Sequence, residues 1–258
     1  MYLPYTKEGG IFVIGKTLLQ ILRESKYTTV LSGYAMLEES GYPAIRDGEA
    51  SYDIEQKYGY SADEMFSSSF YTARTEQFFS FYRNEILSAL DKPPGKCFYE
   101  MAELERRGLF NCIITRRVFG LPETAGCKNV INLHGSVYVN YCPHCKKNYS
   151  LDYVRNSKRV PICEDCSTVI RPGVCLFGEM VDNQVITRAA HEVQKADVLL
   201  VLGTNLKTQL CKQLVQYYEG KKLILVKETP HFADRYADLV VNERVDDTLE
   251  KIIKEMGE

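Results

Sequence analysis

Two Cys-x-x-Cys pairs constrain this chain more than any other feature. Cys142-Pro-His-Cys145 and Cys163-Glu-Asp-Cys166 are separated by 17 residues. Two such knuckles, each turning both thiolates toward one point, give the tetrahedral four-sulfur set that Zn²⁺ prefers. The segment around them has little apolar content, so metal binding is expected to supply much of its folding free energy. Four thiolates leave no open coordination position, so the expected zinc is structural, not catalytic. A redox Cys-x-x-Cys usually stands alone at a helix start beside a βαβ unit, whereas these two lie in a loop-rich insert. His144, inside the first knuckle, reads as solvated. The other five cysteines, Cys97, Cys112, Cys127, Cys175 and Cys211, are scattered in apolar surroundings and read as small hydrophobes without a chemical role. A disulfide framework belongs to short secreted chains, and this chain has 258 residues.

Outside the insert, short apolar runs alternate with helical patterns. Runs at 28–31 (TTVL), 111–114 (NCII), 130–133 (VINL), 198–202 (VLLVL), 223–226 (LILV) and 239–241 (LVV) predict strands. Their lack of alternation suits strands buried on both faces, as in a parallel sheet. Amphipathic helices are expected over 97–107, 183–195 and 246–256. This order is the signature of an α/β, doubly wound (Rossmann-type) sheet.

Two stretches break the alternation, a Tyr-, Phe- and Ser-rich helical insert at about 49–90 and the zinc insert at about 139–172. Together they are expected to form a small module. The large part of the single domain would then comprise about 1–48, 91–138 and 173–258.

Lys+Arg 32 against Asp+Glu 34 leaves almost no net charge, which gives no reason to expect nucleic acid or an anionic membrane as partner. No apolar run approaches the roughly 18 residues of a membrane span. The apolar patch at Ile11 to Ile14 is too brief for a secretory signal. A cytoplasmic protein is expected.

The order of motifs resembles the sirtuins, the NAD-dependent protein deacylases, over nearly the whole chain. It runs from SGYPAIR at Ser40 to Arg46, through IITRRVFGLPETAG and NLHGS at Asn132 to Ser136, to the two knuckles. RPGVCLFGEMV at Arg171 to Val181 and VLGTN at Val201 to Asn205 complete it. The resemblance implies NAD lying between the large and small parts, with His134 as general base on the ribose hydroxyls. Imidazole suits that role because its ordinary pKa lies near neutrality. It further implies an acyl-lysine peptide or protein adding as a strand along Val174 to Gly178, with Val174, Phe177 and Gly178 as substrate contacts.

The cofactor positions implied by the resemblance are Gly33, Tyr34, Ala35, Arg46, Arg117, Gly203, Thr204, Asn205 and Lys227. Several depart from the family pattern. Gly33-Tyr34-Ala35-Met36-Leu37 stands for Gly-Ala-Gly-Ile-Ser, which crowds a turn meant to approach a pyrophosphate; such crowding costs ~1–3 kcal/mol. Pro43-Ala44-Ile45-Arg46 keeps the arginine of Pro-Asp-Phe-Arg but loses its aromatic. In Thr115-Arg116-Arg117-Val118-Phe119-Gly120-Leu121, Arg117 stands for the ribose-positioning Asn and Phe119 for the carboxamide-binding Asp. The latter loss alone is worth ~1.5–3 kcal/mol. Lys227 stands for a ribose-binding Asn.

Three functions stay open on these residues. They are an NAD-dependent deacylase with a divergent pocket, a non-catalytic binding module for peptide, nucleotide or protein, and an ADP-ribosyl-transferring or NAD-hydrolysing enzyme. Arg116 and Arg117 could serve an anionic ligand, or could face solvent or pair with a carboxylate such as Glu123.

Overall fold

The computed structural model describes residues 10–42 and 48–257. Arg46, with the rest of the Pro43–Arg46 motif, lies outside the described residues. The strands are β1 (Thr28–Ser32), β2 (Cys112–Thr115), β3 (Val130–Asn132), β4 (Gly135–Tyr141), β5 (Asn148–Tyr149), β6 (Arg171–Val174), β7 (Val198–Leu202), β8 (Lys222–Val226) and β9 (Leu239–Val241). Early in the chain come helices α1 (Gly10–Glu24), α2 (Ala35–Glu39), α3 (Gly48–Tyr58), α4 (Ala62–Met65), α5 (Ser68–Ala73) and α6 (Thr75–Phe81). They are followed by α7 (Lys96–Arg106), α8 (Leu121–Ala125), α9 (Leu151–Asn156), α10 (Asn183–Lys195), α11 (Gln209–Leu214) and α12 (Val245–Gly257).

Six strands form one parallel sheet in the order β3-β2-β1-β7-β8-β9. Successive side chains of each strand enter opposite cores, as the two-residue period requires. Val30, Ile113, Leu200 and Ile224 join Leu18, Met101 and Leu249 on one face. Leu31, Ile114, Leu199 and Leu225 join Ala189, Val193 and Leu210 on the other. Both faces are thus covered, and the uninterrupted apolar runs are explained. The order reverses between β1 and β7, and the crevice outside their carboxyl ends is where a sheet of this kind receives ligands.

The helix α1 extends the sequence expectation, which gave the amino-terminal segment no element. Leu18, Leu19 and Leu22 recur at helical spacing and are buried, while Lys16, Gln20 and Arg23 are exposed. Gly15 lets α1 approach α12: a Cβ there would lie 3.2 Å from the backbone oxygen of Lys251.

The stretch from α3 to Asp91 is helical throughout, and its only β contact among the described residues is an isolated parallel bridge between Ser67 and Phe177. Phe78, Phe79, Phe81 and Tyr82 are fully buried in it, with Phe78 and Tyr82 stacked at 5.6 Å. A second, antiparallel sheet, β5-β4-β6, carries the knuckles. It begins at Gly135, a few residues before the insert boundary read from sequence.

Gly135 has φ +72° and a Cβ there would meet the Gly173 carbonyl oxygen at 2.0 Å. Gly135→Ala is therefore expected to part β4 from β6 and cost more than about 2 kcal/mol, read from denaturant midpoints.

Candidate functional site

The four knuckle sulfurs lie within 4.8 Å of one another. Cys142 Sγ is 3.4 Å from Cys166 Sγ, and Cys145 Sγ is 3.6 Å from Cys163 Sγ. Sulfurs on a tetrahedron around zinc at 2.3 Å would stand about 3.8 Å apart, so the set fits the metal closely.

The two knuckles are folded alike. Cys142 N–H donates to Lys147 O and Lys146 N–H to Cys142 O; Cys163 N–H donates to Thr168 O and Ser167 N–H to Cys163 O. Lys146 and Ser167, each following the second cysteine of its pair, hold positive φ of 64° and 54°. That conformation is costly for a residue with a side chain, and repeating it twice aims four thiolates inward. The Tyr149 hydroxyl donates to Cys163 Sγ at 3.1 Å, orienting a ligand sulfur from outside the shell. Of the other cysteines, Cys97, Cys112, Cys127 and Cys211 are buried, and burial pushes Cys112 and Cys127 up to about 12 and Cys211 up to about 11.

The turns after β1, β7 and β8 interlock. Gly33 N–H donates to Leu202 O, Ala35 N–H to Gly203 O and Gly203 N–H to Val226 O. A Cβ on Gly33 would lie 2.5 Å from Gly203 O, and Gly203 has φ +63°. These glycines hold the backbone at the switch point in close contact. Thr204 and Asn205 close the next turn: Thr204 Oγ1 donates to Thr208 Oγ1, and Asn205 Oδ1 accepts from Lys207 N–H.

Lys227 is buried, with Nζ 2.7 Å from Asp234 Oδ2 and donating to Thr229 O. Its ammonium is held inside the protein by this pair and is not presented to a ribose in this arrangement. Breaking such a buried pair strands a charge, which fixes Lys227 structurally.

Across β1, β2 and β3 the side chains meet. Tyr34 follows β1, Arg116 and Arg117 follow β2, and His134 follows β3. Nε and Nη2 of Arg116 are both 3.1 Å from His134 Nε2. Arg117 lies over the Tyr34 ring, its guanidinium carbon 4.7 Å from the centroid. The Glu123 carboxylate accepts from the Asn132 amide. Arg116 thus contacts His134, and Arg117 contacts Tyr34.

Burial first, and then the charges of Arg116 and Arg117, lower the His134 pKa to about 4. The ring is therefore neutral at pH 7 and accepts from Arg116. Phe119 is buried against Tyr42, with ring centroids 5.3 Å apart.

His134 has a depressed pKa, so its neutral form favours the fold above the ordinary value of 6.5. That contribution is lost as pH falls from 6.5 through about 4. A His134→Gln variant is expected to lose less stability across that interval than the parent, as melting curves at stepped pH would show.

The segment after β6 is largely self-paired. His134 O accepts from Cys175 N–H at 2.8 Å, and Leu176 N–H donates to Glu179 Oε2. Phe177 N–H donates to Phe66 O and Phe177 O accepts from Ser68 N–H. Val174 is buried, Phe177 is half exposed and Gly178 has φ +86°. The Phe177 backbone is therefore already paired with Phe66 and Ser68, and its ring meets Phe66 edge-on.

The Sir2 family profile matches residues 33–209. The chain belongs to the Sir2 family. An NAD-dependent protein deacetylase of Clostridium tetani is 35% identical over 243 residues, covering 94% of this chain and 98% of the relative. The Thermotoga maritima NAD-dependent protein deacetylase is 32% identical over 249 residues, again 94% and 98%. Among solved structures, a Sir2 chain with a p53 peptide and NAD⁺ superposes with TM-score 0.77 at 29% identity, covering 94% of this chain and 98% of that one. A sirtuin from a study of substrate affinity gives TM-score 0.82 at 30% identity, with 93% and 98% covered.

Within this Sir2 fold, sequence reasoning placed His134, Arg117 and Tyr34 in one site, and the structure brings them together. It left Arg116 and Glu179 out of the site residues. Arg116 could be suspected only from its position beside Arg117, because its partner is 18 residues away on another strand. Glu179 braces the loop after β6 by accepting from Arg171 Nη2 at 2.6 and 2.7 Å. Among the described residues, no helix is long and apolar enough to cross a membrane.

Proposed function

We propose that this Sir2-family chain binds acylated-lysine segments beside β6 and that NAD-dependent deacylation is suppressed in it. The bond from Arg116 to His134 Nε2 carries this reading. A general base must accept a proton at a free nitrogen, and this one already accepts from a guanidinium. NAD⁺ also carries a pyridinium cation, and positive charge spreads to the ribose as nicotinamide leaves. A guanidinium close to that charge would raise its energy, by on the order of 3 kcal/mol for roughly 5 Å at an effective dielectric constant of 20. Arg116 and Arg117 flank His134 at the motif positions where the family pattern has neither arginine, and the Asn and Asp of that pattern are absent.

Support for the binding half comes from the fitted four-sulfur site, the braced loop from Cys175 to Glu179, and the peptide held by a solved relative. Fluorescence anisotropy with a labelled peptide tests it. The acetyl-lysine form should bind at least tenfold more tightly than the unmodified form, a difference of about 1.4 kcal/mol. Equal affinity for both forms would count against recognition of the acyl group.

A second reading is NAD-dependent protein-lysine deacylation with Arg116 swung aside on cofactor binding. It is favoured by the place of His134 at the end of β3 and by the deacetylase relatives, which match over most of their length.

A further inference from the structure

We propose that Glu100 is a proton-operated latch at the junction of α2, α7 and α12. With its proton it lets the start of α7 lie on α12, and without it the junction loosens.

Three helix ends meet there. Glu39, the last residue of α2, accepts from the Val245 and Asp246 N–H groups at 3.1 and 2.9 Å and so caps α12. Asp246 Oδ1 in turn accepts from Cys97 N–H at 3.0 Å and caps α7. Gly95, just ahead of α7, lies so near the end of α2 that a Cβ would meet Ser40 Oγ at 2.1 Å. The α12 and α7 ends are thus each held by a carboxylate from another helix.

Glu100 stands one turn inside α7, with a side chain that is 10% exposed. Its Oε2 is buried and has no hydrogen-bond partner. Lys96 Nζ is 3.7 Å from Oε1 but 2.7 Å from Glu250 Oε2, so the cation beside Glu100 is drawn to another carboxylate. From α12, Asp246 and Glu250 add negative charge, and Lys254 pairs with Glu250. Arg244, ahead of α12, is 3.6 Å from Asp246 Oδ2. Glu39 comes from α2, burial pushes the Cys97 thiol up and keeps it neutral, and Glu123 of α8 is turned to the Asn132 amide.

An ionised Glu100 would leave one oxygen without a donor among like charges, so the neutral carboxyl is the form that fits. Burial, partly offset by Lys96 and reinforced by Asp246 and Glu250, raises its pKa from 4.5 to about 7. Between those values the folded chain holds a proton that the unfolded chain has released. The contribution to stability is therefore full below 4.5 and is lost as pH rises through about 7, opposite in sign to that of His134. Once ionised, Glu100 gains donors only by admitting water or by taking Lys96 from Glu250, and either parts α7 from α12. The effect reaches the switch point, because α2 begins where Ala35 N–H donates to Gly203 O.

Denaturant unfolding of zinc-loaded parent and Glu100→Gln at about pH 6 and about pH 8 tests the latch. The other titrations, His134 included, are common to both proteins, so the change in the ratio of their unfolding constants isolates Glu100. Over that interval the parent should lose about tenfold in its folding equilibrium relative to the variant. Amide exchange, corrected for its intrinsic pH dependence, should quicken at Cys97, Val245 and Asp246 in the parent and stay level in Glu100→Gln. Asp246→Asn keeps an acceptor for Cys97 N–H and removes a charge, so it should move the interval to lower pH. The Glu100 carboxyl carbon signal, followed by NMR in the parent, should titrate near neutrality, which needs no variant to fold. A carboxyl that titrates near 4.5, a parent-to-variant ratio equal at both pH values, or the same exchange of the three amides in both proteins would overturn the proposal.

Discussion

Chelating zinc is expected to unfold the segment from Gly135 to Val174 and to abolish peptide binding. The segment buries only medium-sized aliphatics such as Val137, Val154, Ile170 and Val174 beside Tyr149, and its two turns hold Lys146 and Ser167 in a costly backbone conformation. Four thiolates left without metal would repel as they ionise and would no longer pull the turns together. Structural zinc contributes on the order of 10 kcal/mol or more to small modules of this kind, which exceeds the total stability of many domains. The loss should spread, because β6 pairs with β4 and leads directly into the loop from Cys175 to Glu179. Cys163→Ala should reproduce the effect of chelation. Zinc release followed with a chromophoric chelator, alongside thermal melting, checks both. A protein that loses its zinc with an unchanged melting temperature would remove the metal from the folding of the module.

Phe119→Asp is expected to destabilise the protein, although it restores the family's residue. The ring is 8% exposed and packs on Tyr42, so its removal forfeits about 3–5 kcal/mol of burial. The introduced carboxylate would also have to be solvated or paired where an aromatic ring was packed. Even a pairing with a neighbouring arginine would leave the volume of the ring unfilled. A drop of at least about 3 kcal/mol in denaturant unfolding is anticipated, with no return of NAD turnover. Equal stability together with NAD binding would mean that the pocket had kept its old shape.

The sheet was legible because burial on both faces leaves a plain mark: Val198–Leu202 is apolar without a break and Thr28–Leu31 is β-branched or apolar throughout, and the structure places Val30, Leu31 and the successive residues Leu199 to Leu202 alternately in two cores. The knuckles were legible because metal geometry fixes residue type and spacing together. The first helix was harder. Its glycines at 10 and 15 and its short apolar patch at Ile11 to Ile14 weaken the helical signal, and Gly15 is explained only by the closeness of α12.

Site residues divided along the same line. Tyr34, Arg117 and Phe119 stood out as departures at motif positions, so their neighbourhood could be named from sequence. What they do there could not. Whether Arg116 meets Glu123, water or His134 depends on the register of β2 against β3. Likewise the pairing of Lys227 with Asp234 spans a turn whose closure no local pattern announces. The backbone of Phe177 is occupied by Phe66 and Ser68, residues more than a hundred positions earlier.

Release of nicotinamide from NAD⁺, measured with zinc-loaded protein and saturating acetyl-lysine peptide, tests the suppressed pocket most directly. Peptide binding without nicotinamide release above the protein-free background is the predicted result. Turnover at an ordinary enzymatic rate, abolished by His134→Ala, would contradict it and establish that Arg116 leaves His134 when the cofactor arrives.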